Sequence, residues 1–201
     1  MATKTIVEVV LWLEDLFDRH RIDRSYGGAI ARNFFAEPRL TRDVDLLVLV
    51  SQTQVPALVK DLVDAGASAL EVDEEAGTEL RRPLDLRRVL SDLRGKTHMT
   101  ALRCFGVRVE IFVPWHPFDH EVLRRSLEQQ FDGRKIRIHA PEDLIVYKKV
   151  FNRSKDIEDI KAILAAQVGK LDLGRIRAGA SQLLDEASMR ELDDMIRQFY
   201  R

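Results

Sequence analysis

The chain has 201 residues, of which 45% are hydrophobic, and its 32 Lys and Arg against 33 Asp and Glu leave a net charge of −1. This balance excludes general disorder and strong whole-molecule attraction to nucleic acid, which would need a local basic patch. One cysteine, Cys104, excludes an internal disulfide and a cysteine-rich zinc site, and it points to the cytoplasm.

No uncharged run approaches the roughly 18 residues of a membrane span, and the first apolar stretch, interrupted by Glu8 and closed by Glu14, lacks a signal-peptide cleavage pattern. Residues 3–20 carry Ile6, Val9, Val10, Leu13, Leu16 and Phe17 at helical spacing. A short strand over 24–26 runs into Gly27-Gly28, followed by a helix over 29–35 that ends before Pro38. The apolar run at 46–50 predicts a strand covered on both faces, and 54–66 predicts a helix stopped by Gly66. Residues 71–82 are charged and irregular, so a loop is expected there. Helical spacing returns over 83–93.

Strands over 100–104 and 107–113 form a hairpin about Phe105-Gly106, and 117–125 predicts a short helix. Asp132-Gly133 marks a second hairpin turn between Phe131 and a strand at 135–138. From Pro141 the pattern is helical to the end, with Leu144, Ile145, Ile157, Ile160 and Leu164 on one face and a closing pair of helices carrying Leu183, Leu184, Leu192, Met195 and Ile196. The expected fold class is α+β, a small mixed sheet flanked by helices. A soft boundary divides residues 1–140 from a helical region, 141–201, packed on them.

The chemistry concentrates in residues 26–50. Asp43 and Asp45 open an otherwise apolar strand, and residues i and i+2 of a strand point to one face. Two carboxylates side by side repel unless something neutralises them, and their hard oxygens suit Mg²⁺ or Mn²⁺. A solvated strand end is the plainer account of Asp-x-Asp alone. Gly27-Gly28, between strand and helix, suits a tight turn or the close approach of a phosphate. Glu110 stands among Val109, Ile111 and Val113, and a carboxylate inside an apolar strand needs a partner. That partner is either an arginine or a metal ion.

Other candidates carry less. His116 and His120 are four apart with Asp119 between them, but no further ligand is evident and surface positions account for them. Cys104, Trp12 and Trp115 read as core residues. Arg81, Arg82, Arg87 and Arg88 read as solvated positions that an RNA partner would need to exploit.

Together, Gly27-Gly28, Asp43-x-Asp45 and Glu110, with Thr41-Arg42 ahead of the aspartates, resemble the nucleotidyltransferase (polymerase-beta-like) superfamily. Two positions depart from its pattern: Gly28 stands where serine is common, and Glu110 where aspartate is common. A second stretch, residues 142–160, resembles AbiEii-like and related uncharacterised nucleotidyltransferases, with a Leu-Ile-x-x-Lys helix followed by Arg-x-Lys-Asp-x-x-Asp. It places the family lysine on Lys148 and its aspartate on Asp156. The two are eight apart, so one unbroken helix would set them on one face. A charged solvent face with internal salt bridges is the plain alternative.

The resemblance implies an enzyme that moves a nucleoside monophosphate from an NTP to an acceptor: transfer RNA or another RNA, a protein, or a small molecule. Asp43, Asp45 and Glu110 would be catalytic and hold Mg²⁺ or Mn²⁺. Gly27 and Gly28 would cradle phosphate through backbone N–H groups, with Arg42, Lys148 and Asp156 completing the nucleotide site. The alternative is a catalytically idle nucleotide- or protein-binding module of the same fold, for instance one half of a toxin–antitoxin pair with an antitoxin partner.

Overall fold

The computed structural model describes residues 3–73 and 78–200. Helix α1 (Ile6–Arg19) begins at a capping box in which Thr5 accepts from the Glu8 N–H and Glu8 accepts from the Thr5 N–H at 2.7 Å. Its apolar stripe of Val9, Val10, Leu13, Leu16 and Phe17 is buried in the core. Strand β1 (Asp23–Tyr26) leads through the glycines into helix α2 (Gly28–Arg32), and strand β2 (Asp43–Leu49) follows. Helix α3 (Val55–Asp64) ends just before Gly66, whose positive φ of 74° allows the chain to turn back.

The stretch expected as a loop over 71–82 is different. Strands β3 (Ser68–Asp73) and β4 (Thr78–Pro83) pair antiparallel, Ser68 opposite Pro83 and Asp73 opposite Thr78, while the middle of that expected loop, 74–77, lies outside the described residues. All of β4 is exposed, so it carries no apolar alternation, and main-chain pairing to β3 defines it.

Helix α4 (Leu86–Arg94) precedes the expected hairpin of β5 (Met99–Cys104) and β6 (Val107–Phe112). Its turn residues, Phe105 and Gly106, both have positive φ, as a two-residue turn between twisted strands requires. Helix α5 (Pro117–Arg125) and the hairpin of β7 (Leu127–Phe131) and β8 (Arg134–Ile138) follow, turned at Asp132-Gly133. The chain closes with α6 (Pro141–Phe151), α7 (Ser154–Ala166), α8 (Leu173–Ala180) and α9 (Glu186–Phe199). One hydrophobic cluster includes Tyr26, Ile30 and Val44 as well as Leu144, Ile145 and Ile163.

The strands form one eight-stranded mixed sheet in the order β4-β3-β5-β6-β2-β1-β8-β7. Neighbours pair antiparallel except β2 with β6 and β1 with β8. The parallel β2–β6 pairing matters most, because it sets Asp45 opposite Glu110 and Asp43 opposite Arg108. Cys104 is buried as expected, and burial pushes its thiol up to about 12. Trp12 packs edge-on against Phe105 at 5.0 Å. Trp115 departs from the core expectation: it is 60% exposed and stacks on His98. No helix among the described residues is long and apolar enough to cross a membrane.

Candidate active site

Strand alternation puts Asp43 and Asp45 on one face of β2, and the parallel register adds Glu110 from β6 beside them. The three acids, far apart in sequence, thus share one face of two central strands. Burial, then the charge of Glu110, then that of Asp43 push the Asp45 carboxyl up to about 7, while the Lys148 ammonium pulls in the opposite sense. Asp45 and Glu110 thus stand directly across from each other on neighbouring strands, and their like charges oppose each other.

The glycine corner sits directly against this pair. Gly28 has φ +51°, and a Cβ there would lie 1.8 Å from Asp45 Oδ2. The Gly-Gly departure from the family pattern therefore has a physical reason: Asp45 fills the space a serine would need. Gly27 is constrained on its other side, where a Cβ would meet the His139 ring at 2.8 Å. The expectation that both glycines offer N–H groups to phosphate needs correction, because Gly27 donates its N–H to the Asp45 carbonyl at 2.8 Å. His139 is buried, and burial pushes it down to about 4 against the charge of Asp119 and a backbone hydrogen bond with Ser25.

Lys148 and Asp156 meet, but not along one unbroken helix. Helix α6 ends at Asn152, whose left-handed φ of 50° breaks the run before α7 begins. Across that break Lys148 Nζ lies 3.4 Å from Asp156 Oδ1 and 2.7 Å from Asp159 Oδ2. Lys148 is buried, and its ammonium is bound to two carboxylates instead of standing free for phosphate.

Asp159, the last residue of the Arg-x-Lys-Asp-x-x-Asp stretch and given no role from the sequence, is the hub of this network. Arg39 forks onto it at 2.8 and 3.0 Å, and Arg32 reaches it at 3.2 Å. Burial opposes its ionisation, but Arg39 and Lys148 hold its carboxyl below the usual range. Asp156 is bound in the same way by Arg153 Nε at 2.6 Å. Arg39 and Arg153, held by Asp159 and Asp156, each interact electrostatically with Asp45, and Arg153 also with Glu110. Arg42 is exposed and makes no hydrogen bond or ion pair with any described residue.

Of the two partners open for Glu110, the arginine is present. Arg108 Nε meets Glu110 Oε1 at 2.8 Å, and its Nη1 bonds to Glu79. Three carboxylates on one face suit a hard divalent cation in charge and donor type, since positive charge removes the repulsion on Asp45. Their placement is not a closed cage: no group of three or more His, Cys, Asp or Glu among the described residues is set to hold a metal ion. In donor type the three acids fit such an ion, with Arg108 held on Glu110. The His116–His120 pair does not: His116 caps α5, its Nδ1 accepting from the Phe118 N–H at 3.2 Å, while Asp119 accepts from the His116 N–H.

Comparison with solved structures places this architecture. The chain is similar to an antigenic nucleotidyltransferase-like protein from Paracoccidioides brasiliensis, with 18% identity over 97% of this chain and 93% of that one, and a TM-score of 0.51. It is similar to the antibiotic-resistance factor ANT(2'')-Ia at 14% identity over 96% of this chain and 95% of that one, TM-score 0.55. It also resembles the lincosamide antibiotic adenylyltransferase LnuA at 14% identity over 81% of this chain and 98% of that one, TM-score 0.52. The fold is that of the nucleotidyltransferases. Residues 106–195 match the family described as a nucleotidyl transferase of unknown function, DUF2204. That stretch holds Glu110, Lys148, Asp156 and Asp159, while the Asp43–Asp45 pair lies ahead of it. No curated protein matches the sequence.

Proposed function

We propose that this chain is a metal-dependent nucleotidyltransferase, transferring a nucleoside monophosphate from an NTP to an acceptor hydroxyl. The observation that carries the reading is the register that sets Asp45 opposite Glu110, with Asp43 on the same face and Gly28 pressed against Asp45. Asp43, Asp45 and Glu110 would hold Mg²⁺ or Mn²⁺. Bound there, the ion would supply positive charge to the α-phosphate and lower the pKa of the acceptor hydroxyl.

The chain's own groups do the rest. Glu110 completes the cation site or takes the acceptor's proton as the acceptor oxygen bonds to the α-phosphorus and the bond to pyrophosphate breaks. Arg39 and Arg153 neutralise the leaving pyrophosphate, and Lys148 contributes charge from within the Asp156–Asp159 network. Gly28, without a side chain, leaves the Asp45 carboxylate its place in the site. Two of the similar structures are named as an antibiotic-resistance factor and an antibiotic adenylyltransferase, which supports small hydroxyl-bearing molecules as the first acceptors to try.

Calorimetry of ATP with Mg²⁺ tests the site: the Asp43→Ala, Asp45→Ala double variant should lose the heat of binding while circular dichroism shows a retained fold. Unchanged binding would refute the assignment. Transfer of labelled nucleotide to RNA, protein and small-molecule pools then tests the reaction. One observation favours the second reading, an idle nucleotide- or protein-binding module: the Arg108 fork that occupies Glu110. NTP binding without transfer to any pool would select it.

A further inference from the structure

Arg108 stands where the acids need a counter-ion. It faces Asp43 across the β2–β6 register and precedes Glu110 by two residues, so it shares their face. Its Nε and Nη2 both reach Glu110 Oε1, and its Nη1 reaches Glu79 on β4. Glu79 also binds Arg103, which lies opposite Arg108 on β5. Arg108 therefore spans one carboxylate of the acidic site and one carboxylate outside it. Arg103 touches only the latter and the carbonyl of Gly106 among the described residues.

Resting on the reading of Asp43, Asp45 and Glu110 as the cation site, we infer that Arg108 is a removable counter-ion. It neutralises Glu110 while no divalent cation is bound, and transfers its guanidinium to Glu79 when one is. A guanidinium offers only donors and keeps its proton, so it cannot ligate a metal or step aside by titrating. It also opposes a second positive charge beside it. Glu79 already accepts from Arg108, so release from Glu110 leaves no guanidinium unpaired.

The test is Mn²⁺ titration of the full chain, followed by electron paramagnetic resonance of the free ion. Arg108→Gln should bind Mn²⁺ about tenfold more tightly than the natural chain, the scale of one neighbouring unit charge at a protein surface, whereas Arg103→Gln should change it by less than about twofold. With Glu110→Gln already present, Arg108→Gln should add less than about twofold, because the contact it releases is gone. Arg108→Lys keeps the charge without the fork and should fall between.

Equal tightening by the Arg103 and Arg108 variants overturns the inference. So does unchanged affinity in Arg108→Gln when the natural chain binds Mn²⁺. Either result leaves the cation site standing. Absence of Mn²⁺ binding in both the natural chain and Arg108→Gln overturns the cation site and the inference together.

Discussion

The carboxylate of Asp45 occupies the space in which a side chain at position 28 would begin: a Cβ on Gly28 would sit 1.8 Å from Asp45 Oδ2 and 2.7 Å from its Cγ. The backbone there is left-handed, at φ +51°. Sterics and conformation therefore both select glycine. Gly28→Ala should cost about 1–3 kcal/mol of stability, read as a lower urea midpoint with unchanged slope. It should also displace Asp45 and weaken cation binding. In an Asp45→Gly background the same substitution should cost less, since only the backbone strain remains. Equal costs in the two backgrounds would show that the contact carries no energy.

Asp45 also makes stability depend on pH. Its folded pKa, about 7, lies above the ordinary carboxylate value, so the folded state holds the proton more tightly than the unfolded chain. The stability this gives is fully present below about pH 4 and is lost as pH rises toward 7. His139 works oppositely: its folded value of about 4 lies below the ordinary 6.5, so its contribution is lost as pH falls through that range. The two overlap, and only a comparison separates them. Without divalent cation, urea midpoints of the natural chain should decline more between pH 5 and 7.5 than those of Asp45→Asn. Parallel pH profiles would remove the carboxyl pair as the cause.

Asp159 is the common partner of Lys148, Arg39 and Arg32, and it is buried. Its removal strands a buried ammonium with Asp156 as its remaining partner. Asp159→Ala should therefore destabilise the chain by about 3–5 kcal/mol, the range for breaking a buried ion pair from one side. Asp61→Ala, at a surface pair with His20 and Arg19, should cost about 1 kcal/mol or less. Thermal unfolding of both variants checks the contrast, and similar losses would mean the network is not buried in solution.

How much of this was legible in the sequence follows from the range of each interaction. Asp43, Asp45 and Glu110 announce themselves because carboxylates break the apolar run of a strand, and a two-residue period fixes their faces locally. The β3–β4 hairpin escapes the same test: β4 is exposed along its whole length and repeats nothing. Asp159 and Arg39 are 120 residues apart, and no local pattern encodes such a pair. The break between α6 and α7 had a signal in Asn152, a residue tolerant of the left-handed region, but helical spacing on both sides conceals it. The contact of Gly28 with Asp45 needed the register of β1 against β2, which places Tyr26 opposite Leu46.

The roles proposed for Arg39 and Arg153 can be tested by separating phosphate recognition from recognition of the rest of a nucleotide. Both are exposed enough to meet a ligand, both act electrostatically on Asp45, and both are held by carboxylates of α7. If they neutralise the leaving pyrophosphate, Arg39→Ala and Arg153→Ala should each weaken ATP binding by about tenfold in the presence of Mg²⁺, the loss expected for one charge-assisted contact. AMP, which lacks the β- and γ-phosphates, should bind each variant within about twofold of the natural chain. Calorimetry with the two nucleotides makes the comparison, and inorganic tripolyphosphate should follow ATP. An equal loss for ATP and AMP would assign these arginines to the α-phosphate or the nucleoside. No loss for either would leave them as structural partners of Asp156 and Asp159.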